Sequence, residues 1–284
     1  MSYIEMKGIS YKYPVGDGKV LKDVNLSLEK GKVYALIGAN GSGKTTICNL
    51  IRGFIPHFFK GDLDGEMLIE GKDIREWEMG DLAQKMGYIF QNPFTQISGT
   101  KDTVFEEIAF GLENLRVEVP VIKERVTEII KLFGLEPLQN KDPQQLSGGQ
   151  RQRVSLASVM VMDPEILIID EPTSQLDPQA TEEVFKIINI MKQKGKTIIL
   201  VEHKIELIAE YADWVILVED GKVVMEGKTK DILSDIKTVN HGVMLPQYAL
   251  LGYEMRKTGR LNEIPITESE AITVFNNWIV GKEE

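Results

Sequence analysis

A single cysteine, Cys48, stands in a chain of 284 residues. A lone thiol cannot close an internal disulfide, which suits a reducing compartment and removes the small disulfide-stapled classes. No run of apolar residues approaches the roughly 18 that a membrane-crossing helix needs, so any membrane role must come through a partner. The opening MSYIEMKG has no apolar stretch behind a basic start, so no secretory leader is expected. Excess positive charge is missing as well. Lys and Arg number 33 against 43 Asp and Glu, for a net charge of −10. A non-specific nucleic-acid binder is usually basic, so that partner class is disfavoured. Low-complexity segments and internal repeats are also lacking. What remains is a composition that is 43% hydrophobic, too apolar for disorder. The length suits one large α/β domain with a small appendage.

Tyr3 to Leu28 reads as strands, which Gly16-Asp17-Gly18 turns into a hairpin. Val33 to Ile37 is a short apolar run of the kind buried on both faces of a sheet. A glycine-rich loop follows, then a helix from about Thr45 to Arg52 with Gly53 placed to end it. Phe54 to Lys60 reads as an apolar-aromatic loop, and Gly61 to Gly65 as a turn into another strand. From Val121 to Phe133 apolar residues recur at helical spacing (Val126, Ile129, Ile130, Phe133), and Gly134 is the stop. Leu146 to Met162 reads as a second helix ending before Pro164. Ile166 to Ile169 and Thr197 to Val201 are further buried strands. Between them Asp177 and Pro178 supply the N-cap and first residue of a third helix. Its apolar face is Val184, Ile187, Ile188 and Met191, and Gly195 follows its end. Asp220-Gly221 joins Trp214–Glu219 to Lys222–Met225 as a hairpin. Beyond about Lys228 two short helices are expected, the last opening on Thr267 and Glu270 at capping-box spacing. Strands alternating with helices imply a largely parallel sheet, and such sheets place ligand loops at the strands' carboxyl ends.

The motifs fall at those ends. Gly38-Ala39-Asn40-Gly41-Ser42-Gly43-Lys44-Thr45, followed by Thr46, fits G-x-x-x-x-G-K-[ST] between a strand and a helix. Glycines let backbone wrap phosphates, successive N–H groups form an anion nest, and the helix N-terminus adds partial positive charge. Lys44 brings a full charge to the β- and γ-phosphates, and the Thr45 hydroxyl is the expected Mg²⁺ ligand. Ile166-Leu167-Ile168-Ile169-Asp170-Glu171 ends a buried strand with two carboxylates. Asp170 is assigned to Mg²⁺ through coordinated water, and Glu171 to general-base or water-polarising work. The bland rival is a solvated acidic turn before Pro172. Ser147, Gly148, Gly149 and Gln150, in Leu146-Ser147-Gly148-Gly149-Gln150, open a helix and form a second anion site by the same dipole argument. Alone they would be a helix cap. Cys48 is expected to be a buried helix residue, and Trp77 and Trp278 to pack.

LSGGQ, placed between a P-loop and an apolar strand ending in Asp-Glu, resembles the signature of the ABC ATPase family. The other marks follow in order over roughly residues 3 to 227. Gln91, in Phe90-Gln91-Asn92-Pro93, resembles the Q-loop glutamine, which implies a catalytic and metal-side role. Ser174-Gln175-Leu176-Asp177 resembles the D-loop and puts Asp177 near nucleotide. His203, after TIILVE, resembles the switch histidine, a donor to the γ-phosphate. Tyr13 stands where the family's adenine-stacking aromatic is found, with Tyr3 and Tyr11 as alternatives. The resemblance implies an ABC ATPase domain over residues 1–228: a parallel core sheet, an N-terminal antiparallel β subdomain and a helical subdomain at about 92–162. Residues 229–284 would form a small α-rich accessory or dimerisation module. It also implies that two copies sandwich two ATP molecules, each held by one chain's P-loop and the other's signature loop.

FQNPFTQISGTKDTVFEEIAFGLENL (Phe90 to Leu115), the loop GFIPHFFKGDLDGEM (Gly53 to Met67) and the tail length are similar to energy-coupling-factor (ECF) transporter ATPases of the cobalt-type CbiO group. That resemblance implies uptake of a vitamin, metal ion or other micronutrient. A second ATPase subunit, identical or paralogous, and integral T-type and substrate-binding S-type membrane subunits would be the partners. The place would be the cytoplasmic face of the cell membrane, as a peripheral protein. The competing function is a soluble ABC ATPase of the ribosome or DNA-repair type, but the long inserted coiled coils and tandem cassettes usual there are missing. The segment after Gln91 offers a docking hypothesis: Val104, Phe105, Ile108, Phe110 and Leu112 as an apolar stripe rimmed by Glu106, Glu107 and Glu113, suited to a partner helix bearing Arg. Its rival is an ordinary amphipathic helix.

Overall fold

A computed structural model describes residues 2–92, 95–174 and 176–280. Pro93 of the FQNP segment and Gln175 of the SQLD segment lie outside the described residues. The chain opens with β1 (Ile4–Lys12) and β2 (Leu21–Leu28), the expected antiparallel hairpin, with Ile4 opposite Leu28. β3 (Val33–Ile37) leads into α1 (Lys44–Ile51), and Gly53 follows its end in the left-handed region. After α2 (Phe54–His57), β4 (Asp62–Ile69) and the short β5 (Lys72–Asp73) complete a four-stranded antiparallel sheet, ordered β2-β1-β4-β5.

The expected turn from Gly61 to Gly65 is strand instead. β4 already begins at Asp62, and Gly65 lies within it at φ 87°. It faces the register shift of β1 between Lys7 and Ser10, where a Cβ on Gly65 would stand 2.5 Å from the Lys7 carbonyl oxygen. The glycine admits a close strand crossing rather than a turn. The segment read as a loop from Phe54 also contains one helical turn, interrupted at Ile55.

The second sheet has six strands. α3 (Met79–Lys85), β6 (Met86–Ile89), α4 (Val104–Asn114), α5 (Val119–Leu132) and α6 (Gly148–Met160) precede β7 (Ile166–Asp170). α7 (Pro178–Gln193), β8 (Thr197–Val201), α8 (Ile205–Tyr211) and the hairpin β9 (Trp214–Glu219) and β10 (Lys222–Lys228) follow. The order is β10-β9-β3-β8-β7-β6, parallel except for β10 at the edge. Alternation sorts each strand between two cores. Ala35, Leu167, Ile169, Ile198 and Leu200 join the core under the helices. Leu36, Ile166, Ile168, Ile199 and Val201 join the core shared with α1 and the antiparallel sheet. The site is therefore carried on a sheet covered on both faces.

The docking stripe set out after Gln91 is only partly available, with Phe105 and Phe110 half-buried. Val104, Ile108 and Leu112 are fully buried in the helical core, where α4 packs on α5 and α6. Glu107, 3% exposed, accepts the backbone N–H and the hydroxyl of Ser98 at 2.7 Å each. Glu106 closes the capping box with Thr103, and Glu113 pairs with Lys101 at 2.6 Å. All three carboxylates thus have partners inside the chain, and Glu106 and Glu113 stay exposed.

The tail holds α9 (Thr229–Leu233), α10 (Gln247–Lys257) and α11 (Glu268–Val280), one helix more than expected. Leu233, Leu245, Ala249 and Ile266 belong to the core under the helices, so the tail packs onto the sheet's helical side. Thr267 accepts the N–H of Glu270 at 3.3 Å, as its spacing predicts. The returning carboxylate bonds the N–H of Ile266 at 2.7 Å, one residue earlier than in a capping box, because it also pairs with Lys230.

Candidate functional site

Strand register gathers four loops at one edge of the parallel sheet. Asp170 pairs with Val201, Ile89 with Ile169, and Leu36 with Val201. The loop from Gly38, the pair Asp170-Glu171, Gln91 and His203 each follow within two residues of those strand ends.

The loop from Gly38 to Thr45 curls under α1. Gly38 has φ 139°, and a Cβ there would lie 2.1 Å from the Val218 carbonyl oxygen, so no other residue fits. Gly43 occupies the N-cap of α1 without a side-chain bond, leaving the first-turn N–H groups facing the cleft. The Ser42 hydroxyl oxygen is buried without a hydrogen-bond partner. A buried orphan in an anion nest fits a ligand that brings acceptors. Lys44 donates from Nζ to the carbonyls of Gly38 and Ala39 at 2.8 and 2.9 Å. Burial pulls its pKa below the ordinary lysine value, opposed by the charges of Glu171 and Asp170. Thr45 is exposed to a cleft of about 350 Å³ that Asn40, Gly41, Lys44, Gln91 and Glu171 also line.

Glu171 holds φ 47°, which turns its carboxylate back along the sheet edge. One oxygen accepts from Gln91 Nε2 at 2.6 Å, and the other lies 2.9 Å from His203 Nε2. Asp170 accepts the Tyr88 hydroxyl at 2.8 Å. Burial raises the Asp170 pKa, while the Tyr88 bond draws it back down. Sequence reasoning missed the layer behind these groups. Arg52 is stacked between Phe54 and Tyr88, 3.8 and 3.9 Å from their ring centres, and chelates Asn49 Oδ1 at 2.6 and 3.0 Å. Asn49 reaches the Tyr13 hydroxyl at 3.4 Å, which lies 3.3 Å from the hydroxyl of Thr46. Tyr13 also meets Tyr11 and Phe59 edge-on. One signal was readable: a tyrosine inside the strand that pairs with the Asp-Glu strand, Tyr88 opposite Ile168.

The second anion loop stands apart. Ser147 caps α6: its hydroxyl takes the Gln150 N–H at 3.4 Å, and Gln150 Oε1 returns to the Ser147 N–H at 3.1 Å. Gly148 and Gly149 form the first turn, and Gly149 packs against Ala180. Asp177 caps α7 by accepting the Ala180 N–H at 2.8 Å. Ser147, Gly148, Gly149, Gln150 and Asp177 line a cleft of about 460 Å³ that shares no residue with the Lys44 cleft. The structure thus brings Tyr13, the Gly38 loop, Gln91, Asp170, Glu171 and His203 into one neighbourhood, and keeps the signature residues in another.

Comparison with known proteins agrees with this geometry. The ABC transporter family model matches residues 21–174. The energy-coupling factor transporter ATP-binding protein EcfA of Methanocaldococcus jannaschii is 37% identical over 254 residues, 88% of each chain. The structure of cbiO1 from Clostridium perfringens, part of an ABC transporter complex, superposes with TM-score 0.75 at 31% identity, covering 90% of this chain and 99% of that one. An ATP-binding cassette solved as a dimer in a post-hydrolysis state with ADP and Pi superposes with TM-score 0.68 at 28% identity, covering 80% and 98%. With both anion loops, the Asp-Glu strand end and the family match in place, this chain belongs to the ABC transporter family, as an ATP-binding subunit that hydrolyses ATP for transport.

Proposed function

We propose that two ATPase chains, two copies of this one or this one and a paralogue, clamp ATP between the Gly38–Thr46 loop of one and the Ser147–Gln150 loop of the other. The observation that carries this is the division of one chain's phosphate-binding chemistry between two clefts with no residue in common. Each cleft alone is half a site, and a second chain completes both. The cassette solved as a dimer with ADP and Pi supports the arrangement.

Within the Lys44 cleft, Lys44 leaves the Gly38 and Ala39 carbonyls for the β- and γ-phosphates. The orphan Ser42 hydroxyl gains an acceptor there. Glu171 takes the proton of the attacking water, Gln91 orients its carboxylate, and His203 donates toward the γ-phosphate. Tyr13 stacks on the adenine. Asp177 and the signature residues bind the same nucleotide from the opposite chain. The donor set fits Mg²⁺: Thr45, Asp170 and Gln91 offer oxygen, and among the described residues no group of three His, Cys, Asp or Glu side chains cages a metal. When bound with ATP, Mg²⁺ neutralises phosphate charge.

The transporter class is the energy-coupling-factor type, driving uptake of a vitamin, metal ion or other micronutrient. The EcfA and cbiO1 relatives support that class. Among the described residues no helix is long and apolar enough to cross a membrane, so T-type and S-type membrane subunits would supply the pore, with this chain peripheral on the cytoplasmic face. Residues 1–228 are the ATPase domain, with the helical subdomain at about 92–162. Residues 229–284 are the accessory module, whose exposed Met244, Leu250 and Leu251 offer apolar contact to the second ATPase. Purification of the native complex, with identification of every co-eluting chain, tests the class. Integral membrane subunits in fixed ratio support it, and only ribosomal or DNA-bound partners overturn it.

A further inference from the structure

The β7–β8 ladder ends at the Asp170–Val201 pair, with Glu171 N–H donating to the Val201 carbonyl at 2.9 Å. Past that bond the two chains part, so the sheet no longer dictates where His203 stands relative to Glu171. Glu202 bridges the gap. It is 4% exposed, and one oxygen accepts the backbone N–H groups of His203 and Lys204 at 2.8 and 3.1 Å. Its other oxygen accepts the hydroxyl of Thr173, itself 1% exposed, at 2.8 Å. Three donors make this buried carboxylate tolerable. Thr173 sits in the turn just after Glu171: Ser174 N–H bonds the Glu171 carbonyl at 3.3 Å, and Leu176 N–H bonds the Thr173 carbonyl at 3.2 Å. Lys204 adds a parallel tie, from Nζ to the Thr181 hydroxyl at 3.2 Å. Both oxygens of Glu202 and the hydroxyl of Thr173 are taken up by these bonds, although Glu202 borders a cleft beside Gly38, Ala39, Asn40 and His203.

We propose that Glu202 and Thr173 are positioning residues for hydrolysis: their hydrogen bond fixes the switch-histidine backbone to the turn that carries Glu171, and so holds the His203–Glu171 separation. This rests on the assignment of hydrolysis to Glu171 and His203. A rigid tie is required because an ångström of misplacement between reacting groups costs orders of magnitude in rate. Glu202 holds two backbone donors and one side-chain donor at once, which an apolar residue of equal size could not do.

Steady-state ATP hydrolysis by Thr173→Val, Thr173→Ser, Glu202→Gln, Glu171→Gln and His203→Ala, each with a melting curve, tests this. Thr173→Val keeps the shape and removes the donor. Its kcat should fall about tenfold at a temperature well below unfolding, with KM for ATP within about twofold of the parent. Thr173→Ser keeps the donor, and Glu202→Gln can accept both N–H groups while donating its amide to Thr173, so both should recover most of the rate. Should Thr173→Val fail to fold, Thr173→Ala removes the same hydroxyl and is read the same way. A lowered Tm with parental kcat, a KM that rises in step with the loss, or Thr173→Ser and Glu202→Gln as slow as Thr173→Val each overturn the positioning role. Parental turnover in Glu171→Gln and His203→Ala would instead overturn the underlying assignment of the reaction.

Discussion

Glu171 and His203 meet at 2.9 Å although 32 residues separate them in the chain. Parallel strands β7 and β8 end together at the Asp170–Val201 pair, the segments beyond them bring the two side chains into contact, and Gln91 occupies the carboxylate oxygen that His203 leaves free. One carboxylate with both oxygens engaged in this way is aimed, not free to rotate. Glu171→Gln should therefore slow hydrolysis by about 10²–10⁴-fold while ATP still binds, because proton removal is lost and the phosphate-binding loop is untouched. His203→Ala should lose turnover as well, with the nucleotide Kd within a few-fold of the parent. Single-turnover hydrolysis alongside equilibrium ATP binding checks both. Parental rates in Glu171→Gln would move the base elsewhere.

Lys44 is held by two backbone carbonyls and is buried, which pulls its pKa down. Lys44→Ala removes one charge-assisted phosphate contact, worth about 1.5–3 kcal/mol. ATP affinity should fall about 10–100-fold. Titration with a fluorescent ATP analogue measures it, and unchanged affinity would remove Lys44 from the binding site.

A staple far from the cleft sets an acid limit to stability. Glu165 accepts the Tyr3 hydroxyl at 3.0 Å, Lys30 at 2.5 Å and Lys85 at 2.8 Å, tying the start of β1, the loop between β2 and β3 and the end of α3 to the foot of β7. The Lys30 bond, followed by the Lys85 bond, lowers its pKa from 4.5 to about 2. A carboxylate depressed in the folded state adds stability that is present above the unfolded pKa and lost as pH falls through the folded one. The window is thus from 4.5 down to about 2. Its exposed side softens the effect by solvent screening. Glu165→Gln should be less stable than the parent at pH 7, and urea midpoints of the two proteins should converge as pH drops below 4.5. A gap that stays constant across that window would count against the staple.

Cys48 is fully buried in α1, and burial pushes its thiol pKa up. A thiol reagent should label the native protein at least about 100-fold more slowly than the urea-unfolded chain, since reaction must wait for local opening. Fast native labelling would refute the packing of α1 against the antiparallel sheet.

Much of this was legible because the informative signals are local. Gly38 to Thr45, the Asp177-Pro178 cap and the apolar runs of β3, β7 and β8 each state a backbone requirement within a few residues. What escaped is through-space. Tyr88 reaches Asp170 across 82 residues and Glu202 reaches Thr173 across 29, and no spacing rule links such pairs. The α4 stripe is largely covered for a related reason. Val104, Ile108 and Leu112 recur at helical spacing, which says that one face is apolar but not what covers it. Here α5 and α6 do. Gly65 was misread because a glycine that lets strands cross closely looks, in sequence, like one that makes a turn.

The division of phosphate-binding loops between two separate clefts has one direct consequence in solution. Sedimentation of Glu171→Gln with ATP and magnesium, alone and with its co-purifying ATPase partner, against the same samples without nucleotide, reads it most plainly. A monomer that becomes a dimer on adding ATP, and does not when Ser147→Arg blocks the α6 N-terminus, is the expected result. A protein that stays monomeric in every one of those mixtures would contradict a nucleotide shared by two chains.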